Sequence, residues 1–284
     1  MSTPPPSTLQ FVPGRSAPVA WQPLTFAGVA AFGRASLGRV VLVALVFAAL
    51  VGGVTVWLLY SAWCPVLQQA MARLPGSGEI NDGQLNWPLA TPVALADNNF
   101  LAIQLNPTGQ ARFSQSADVQ LEFGPRAVEV GSLLGYVSVP YPRGWIIGLN
   151  RTELEPLWGT WEPYLLTGLG VAVVLGLVAV WLLLGLLLAL PTWGCVRLLR
   201  RVATFGGCSR LATAALLPGA AVLAIALFVY GHQRLTVPEL LLAAAFYPVV
   251  SFVYWLCAVR RLPASGRAEA QPPPVQTDFL HTLH

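Results

Sequence analysis

Lysine is absent from this chain: all 16 basic side chains are Arg, set against 12 acids, and only 10% of the 284 residues are charged. The missing lysine reads as the coding bias of a GC-rich bacterial genome, not as a functional device. Histidine is nearly absent as well, with His232 in a short turn and His281 and His284 in the tail. That scarcity leaves no set of His ligands, and no HExxH, GxSxG, Walker or dinucleotide glycine pattern occurs. The 4 Cys do not make a disulfide framework. Cys195 and Cys208 lack the second pair a zinc site needs, so four unpaired thiols are expected. No catalytic residue, cofactor or metal is expected from these patterns. Charge is also missing from four apolar runs, 40–60, 165–190, 211–230 and 238–258. None holds a Lys, Arg or Asp, and Glu239 sits at the edge of the last.

Each run meets the roughly 20 apolar residues that a helix needs to cross a bilayer, where no water can satisfy an open backbone. With 55% hydrophobic residues, the composition is that of a polytopic membrane protein. The arginines set its expected orientation. Residues 1–39, 191–210 and the tail from 260 hold ten Arg and two acids, whereas 61–163 and 231–239 hold six Arg and ten acids. The arginine-rich side is expected to be cytoplasmic, with both termini there, in a bacterial inner membrane. Arg34, Arg39, Arg197, Arg200, Arg201, Arg260 and Arg261 then meet lipid headgroups. The basic residues form no stripe, which argues against a nucleic-acid partner. The first run is too long for a signal peptide, and Trp63 before Cys64 is wrong for a lipoprotein cleavage site, so a retained anchor is expected.

The expected fold is therefore four transmembrane α-helices with a small extracytoplasmic all-β (or α+β) domain between the first and second. The chain divides into a disordered or interfacial stretch 1–39, a first span 40–60, a β-rich domain 61–163, a three-helix bundle 164–260 and a disordered tail 261–284. Residues 21–39 read equally as an interfacial amphipathic helix or as an irregular lead-in. Ala44, Ala48 and Gly52 repeat every fourth residue, a spacing that admits a neighbouring helix. Strands are expected at 93–96, 100–105, 119–123, 127–130, 134–139 and 145–149, divided by turn signals that include Asn81-Asp82-Gly83 and Asn106-Pro107-Thr108-Gly109. Thr152 and Glu155 are spaced as a capping box. Gly206-Gly207 reads as a turn.

Candidate chemistry is sparse. Trp87, Tyr136, Tyr141 and Trp145 could, with nearby acids, form a ligand or partner surface, since aromatic faces suit sugars. The same aromatics could instead be the domain's own core or rest on the bilayer. Transport is disfavoured because no acid or base lies at mid-span; Thr55, Thr167, Thr213 and Ser251 are the main interior polar groups.

A resemblance follows from the linear order. Leu74-Pro75, then Ile80-Asn81-Asp82-Gly83-Gln84-Leu85, then Ile103-Gln104-Leu105-Asn106-Pro107-Thr108-Gly109 and Cys208-Ser209-Arg210-Leu211-Ala212 resemble an uncharacterised bacterial membrane family (domain of unknown function 1189). The likeness covers roughly 30–260 and departs from the pattern at Asn106, where the family has Asp. Some members are labelled maltodextrin-utilisation proteins, which implies association with sugar uptake. The three-helix end also resembles Yip-type membrane proteins. No catalytic residue carries over. The expectation is a non-enzymatic protein, partnered by the bilayer and by a membrane or extracytoplasmic protein or small ligand. An accessory permease subunit and a membrane-embedded enzyme are the alternatives.

Overall fold

In the computed structural model, residues 21–109 and 116–264 are described. Four helical stretches are long and apolar enough to cross a membrane: Leu37–Ala72, Arg151–Leu198, Phe205–Gly231 and Val237–Arg260. The first comprises α2 (Leu37–Leu58), a π turn (Leu59–Trp63) and α3 (Cys64–Ala72); the second comprises α4 (Arg151–Leu187) and α5 (Ala189–Leu198). Helices α6 (Phe205–Gly231) and α7 (Val237–Arg260) form an antiparallel hairpin. A short helix, α1 (Phe26–Phe32), precedes them all. Its buried Val29 and Phe32 join the bundle core, so 26–32 is a packed helix. The alternative of an irregular lead-in is set aside there.

Small residues decide how closely the helices pack. A side chain at Gly52 would stand 2.8 Å from Val174 Cγ2, and one at Gly170 would stand 3.0 Å from Val56 Cγ2, so α2 and α4 approach through their glycines. Gly219 gives the same close approach between α6 and Tyr247 and Ser251 of α7. Helix α6 is the most enclosed, lined by Leu211, Ala214, Ala215, Leu217 and Ala220. Three of the interior hydroxyls bond their own helices, Thr55 to Val51 O, Thr213 to Ser209 O and Ser251 to Tyr247 O, so these groups are not left orphaned in α2, α6 and α7.

Between α3 and α4 lie two sheets. The strands are β1 (Glu79–Asn81), β2 (Gln84–Asn86), β3 (Val93–Asp97), β4 (Leu101–Leu105), β5 (Val119–Phe123), β6 (Ala127–Ser132), β7 (Gly135–Pro140) and β8 (Ile146–Gly148). Their orders are β2-β1-β8 and β3-β4-β5-β6-β7. Only β4 and β5 run parallel. Strand β4 is buried along its whole length. Its Gln104 therefore needs an internal partner and accepts from Gln120 Nε2 at 2.6 Å. The sheets rest on α3 through Val66, Ala70, Leu95, Leu101 and Ile103. Arg73 also donates to Leu95 O at 2.7 Å.

Helix reaches further into 61–163 than the apolar runs suggested. Residues 64–72 and 151–163 are helical, and Pro156 and Pro163 lie within α4. The helix starts at Asn150, whose Oδ1 accepts from Glu153 N at 2.9 Å. Thr152 is thus not the cap: its hydroxyl donates to Asn150 Oδ1 at 2.8 Å, while Glu155 pairs with Arg151. Gly206-Gly207 is likewise not a turn but the first turn of α6, capped by the Thr204 hydroxyl at 3.1 Å from Gly207 N.

Candidate functional site

The two ends of the bundle differ in chemistry. At one end α1, the α5–α6 connection and the end of α7 are tied together. Arg210 Nη1 donates to Ala35 O at 2.5 Å, Arg201 Nη1 donates to Leu262 O at 2.6 Å, and the Tyr254 hydroxyl donates to Leu24 O at 2.8 Å. Arg197 lies 3.4 Å over the Trp193 ring, Arg39 lies 5.3 Å from Trp21 and Arg261 lies 5.6 Å from Phe26. Arg34, Arg200 and Arg260 are exposed at this same end, and Arg200 takes a positive φ of 53° where α5 stops. All seven arginines singled out from the sequence therefore share one end. The sheets occupy the other.

The four aromatics singled out for ligand contact do not share a site. Tyr141 is buried, and its hydroxyl donates to Gly124 O at 3.0 Å. Burial, with Glu129 nearby, holds that phenol above its ordinary pKa. Tyr136 is exposed on β7, and the neighbouring Glu129 carboxylate also raises its pKa. Trp145 is exposed in the turn before β8. Trp87 lines a cavity.

That cavity is an open cleft of about 870 Å³ along the three-stranded sheet. Its floor comes from Gly78, Glu79, Leu85 and Asn86, one wall from Trp87 to Ala90, and its rim from Pro107, Thr108, Ile146, Gly148, Asn150 and Glu153. The local sequence explains the shape. The tip of the β1–β2 hairpin takes positive φ at Asp82 (48°) and Gly83 (79°), which Asn-Asp-Gly runs tolerate. Asp82 Oδ1 accepts from Gly144 N at 2.9 Å, fixing the hairpin to the turn before β8. Gly78 leaves room for the Trp87 ring, and Gly148 leaves room for the Glu153 carboxylate; any side chain at either position would collide.

The polar groups of the cleft are oriented by carboxamides. Glu79 Oε1 accepts from Asn86 Nδ2 at 3.3 Å and from Asn81 Nδ2 at 3.4 Å. Glu153 Oε1 accepts from the buried Asn150 Nδ2 at 3.0 Å. Each carboxylate keeps further acceptor capacity beyond these bonds. The Trp87 indole Nε1 is buried without a protein acceptor, and an orphaned buried donor costs about 1–3 kcal/mol. The cleft thus combines the Trp87 ring with two carboxylates, and among the described residues no arginine lines it. It suits a hydroxyl-rich ligand without negative charge.

Sequence patterns did not single out Glu79, Asn86, Asn150 or Glu153. The Asn150…Glu153 spacing is the one available signal, since Asn at a helix start with Glu three residues on is an N-terminal signature. Among the described residues, no group of three His, Cys, Asp or Glu could hold a metal ion. Compared with family models, with curated proteins and with solved structures, the chain has no match to any.

Proposed function

We propose that this chain is a non-enzymatic, multi-pass protein of a bacterial cytoplasmic membrane whose sheet domain, held outside the cell's inner face, binds a small hydroxyl-rich ligand of the saccharide class in the Trp87 cleft. Both termini are cytoplasmic in this reading. Arginine at one end of the bundle and acid-rich sheets at the other support that orientation. The arginine end rests against anionic headgroups, where each exposed basic residue adds about 1 kcal/mol of attraction.

The observation that carries the ligand reading is the Trp87 ring lining the cleft beside two carboxylates that carboxamides hold in place. A sugar hydroxyl donates to Glu79 or Glu153, while a sugar face lies on the Trp87 ring. In thermal-shift measurements on the full chain in detergent, neutral oligosaccharides should raise the melting temperature. Trp87→Ala and Glu153→Gln should abolish that rise. A panel of neutral saccharides that shifts neither the parent chain nor any variant sinks the reading.

A further inference from the structure

Two-residue hairpin tips favour Asn, Asp and Gly, whose backbones turn easily and whose side chains meet water. The tip between β6 and β7 is Leu133-Leu134, closed by the Ser132–Gly135 pair. The two leucines are 56% and 78% exposed. The turn is well made: the Ser132 hydroxyl accepts from Leu134 N at 3.3 Å and donates to Gly135 O at 3.4 Å, and Gly135 takes a φ of 138°. Strand β7 behind it is an outer strand, with Tyr136, Val137 and Val139 exposed on its two faces. No charged residue occurs from 130 to 142. An apolar projection of this kind marks a contact surface.

Its position identifies what it contacts. Leu133 shares a crevice of about 390 Å³ with Asn99, Asp118, Thr236, Val237 and Pro238. Three of these form the turn and first residues of α7, and Asp118 accepts from the Tyr230 hydroxyl at the end of α6. The tip therefore stands level with the ends of two apolar spans, where the hydrocarbon layer stops. Leu241 and Leu242 of α7, one turn beyond Val237 and Pro238, are exposed as well. From 130 to 142 the stretch itself offers a partner protein no charge, and the neighbouring carboxylates, Asp118 and Glu129, are already engaged by the Tyr230 and Tyr136 hydroxyls. Lipid needs no charge.

We infer that the Leu133-Leu134 tip dips into the acyl chains of the leaflet facing the sheet domain, with Tyr136 at headgroup depth, and so anchors that domain to the lipid surface. Aromatic residues collect at that depth because their rings are apolar and their hydroxyls are wet. The open edge of β7 lies where water still reaches its backbone groups. The inference rests on the membrane reading of the four helices.

The test places a fluorescent, environment-sensitive amino acid at position 134 of the full chain, reconstituted in phosphatidylcholine nanodiscs. The same residue at Leu175, in mid-span, and at Gln84, on the exposed strand β2, provides lipid and water references. At 134 the emission should shift to the blue, fall when the lipids carry an acyl-chain nitroxide, and resist iodide, as at 175. Emission and iodide access matching Gln84, while 175 responds to the nitroxide, would overturn the lipid contact alone. Failure at both 134 and 175 would overturn the membrane reading together with it.

Discussion

Tyr230, in the last turn of α6, donates its hydroxyl to Asp118 Oδ2 across 2.6 Å, joining the helix bundle to the five-stranded sheet. The Tyr230 ring also meets Phe100 edge-on, with centroids 5.1 Å apart. Alongside, Asn98 Nδ2 donates to Ala62 O at 2.6 Å. The phenol thus ties the five-stranded sheet to the end of α6, beside the Asn98 tie to the π turn. Hydrogen bonds to charged groups contribute about 1.5–3 kcal/mol. Tyr230→Phe should lower stability by that order and speed amide exchange in β4 and β5 without altering exchange in α4. Uniform acceleration across the whole chain would contradict the docking role.

The raised pKa of Tyr141 makes an alkaline limit. The folded state prefers the neutral phenol because its ring is buried with the hydroxyl on Gly124 O. A pKa above the ordinary value of 10.0 stabilises the fold below that pH, and the benefit is lost as pH rises through the folded value. Melting temperature should therefore decline steeply above about pH 10. Tyr141→Phe should start lower by about 1 kcal/mol, from the lost hydrogen bond, and decline less steeply. Parallel pH profiles for the two proteins would refute the assignment.

Adjacent glycines on α2 should respond oppositely to substitution. A Cβ at Gly52 meets Val174 of α4 at 2.8 Å, whereas one at Gly53 meets nothing within 4 Å. Gly52→Leu should cost about 1–3 kcal/mol by forcing the helices apart. Gly53→Ala should be neutral or gain up to about 1 kcal/mol from helix propensity. Melting curves in detergent distinguish the two. Equal losses would mean that α2 and α4 do not pack through Gly52.

Arg210 bridges its own first turn to the segment before α2, through Gly206 O at 3.0 Å and Ala35 O at 2.5 Å. Lys keeps the charge but not a planar fork that reaches both carbonyls. Arg210→Lys should therefore free α1 and increase proteolytic cutting near Gly33–Ser36, almost as much as Arg210→Gln. Full protection in the Lys variant would show that charge alone suffices.

Orientation can be read with reporters. Phosphatase fused after residue 109 should be active outside the cytoplasm, and a fluorescent protein fused after residue 199 or 261 should fold and fluoresce within it. The reverse pattern would invert the proposed topology.

The long helices were legible because apolar runs without charge admit few other structures, and six strands lie where alternation and turn signals placed them. The strands β1 and β2 were not, although the Asn81-Asp82-Gly83 turn between them was. Three residues each, with polar ends, are too short to show a period of two. The start of α4 was signalled by the Thr152–Glu155 spacing but placed too late, since the true cap, Asn150, lies further back. The cleft was the least legible part. Glu79 and Glu153 are 74 positions apart in the sequence and meet only because β1 pairs with β8, Glu79 opposite Gly148. Pairing at that separation leaves no local trace.

The π turn at Leu59–Trp63 governs angular phase. An α-helix advances about 100° per residue, and a π turn amounts to one inserted residue. Below it, Ala44, Ala48 and Gly52 are directed into the bundle; above it, Val66 and Ala70 are directed into the sheets. Deleting a single residue there would let α2 and α3 run on as one regular rod with the phase of both kept, whereas winding the same residues into α geometry without a deletion would swing the apolar side of α3 by about a quarter turn. The heading of the entire sheet domain over the helix bundle is set by one residue's worth of rotation.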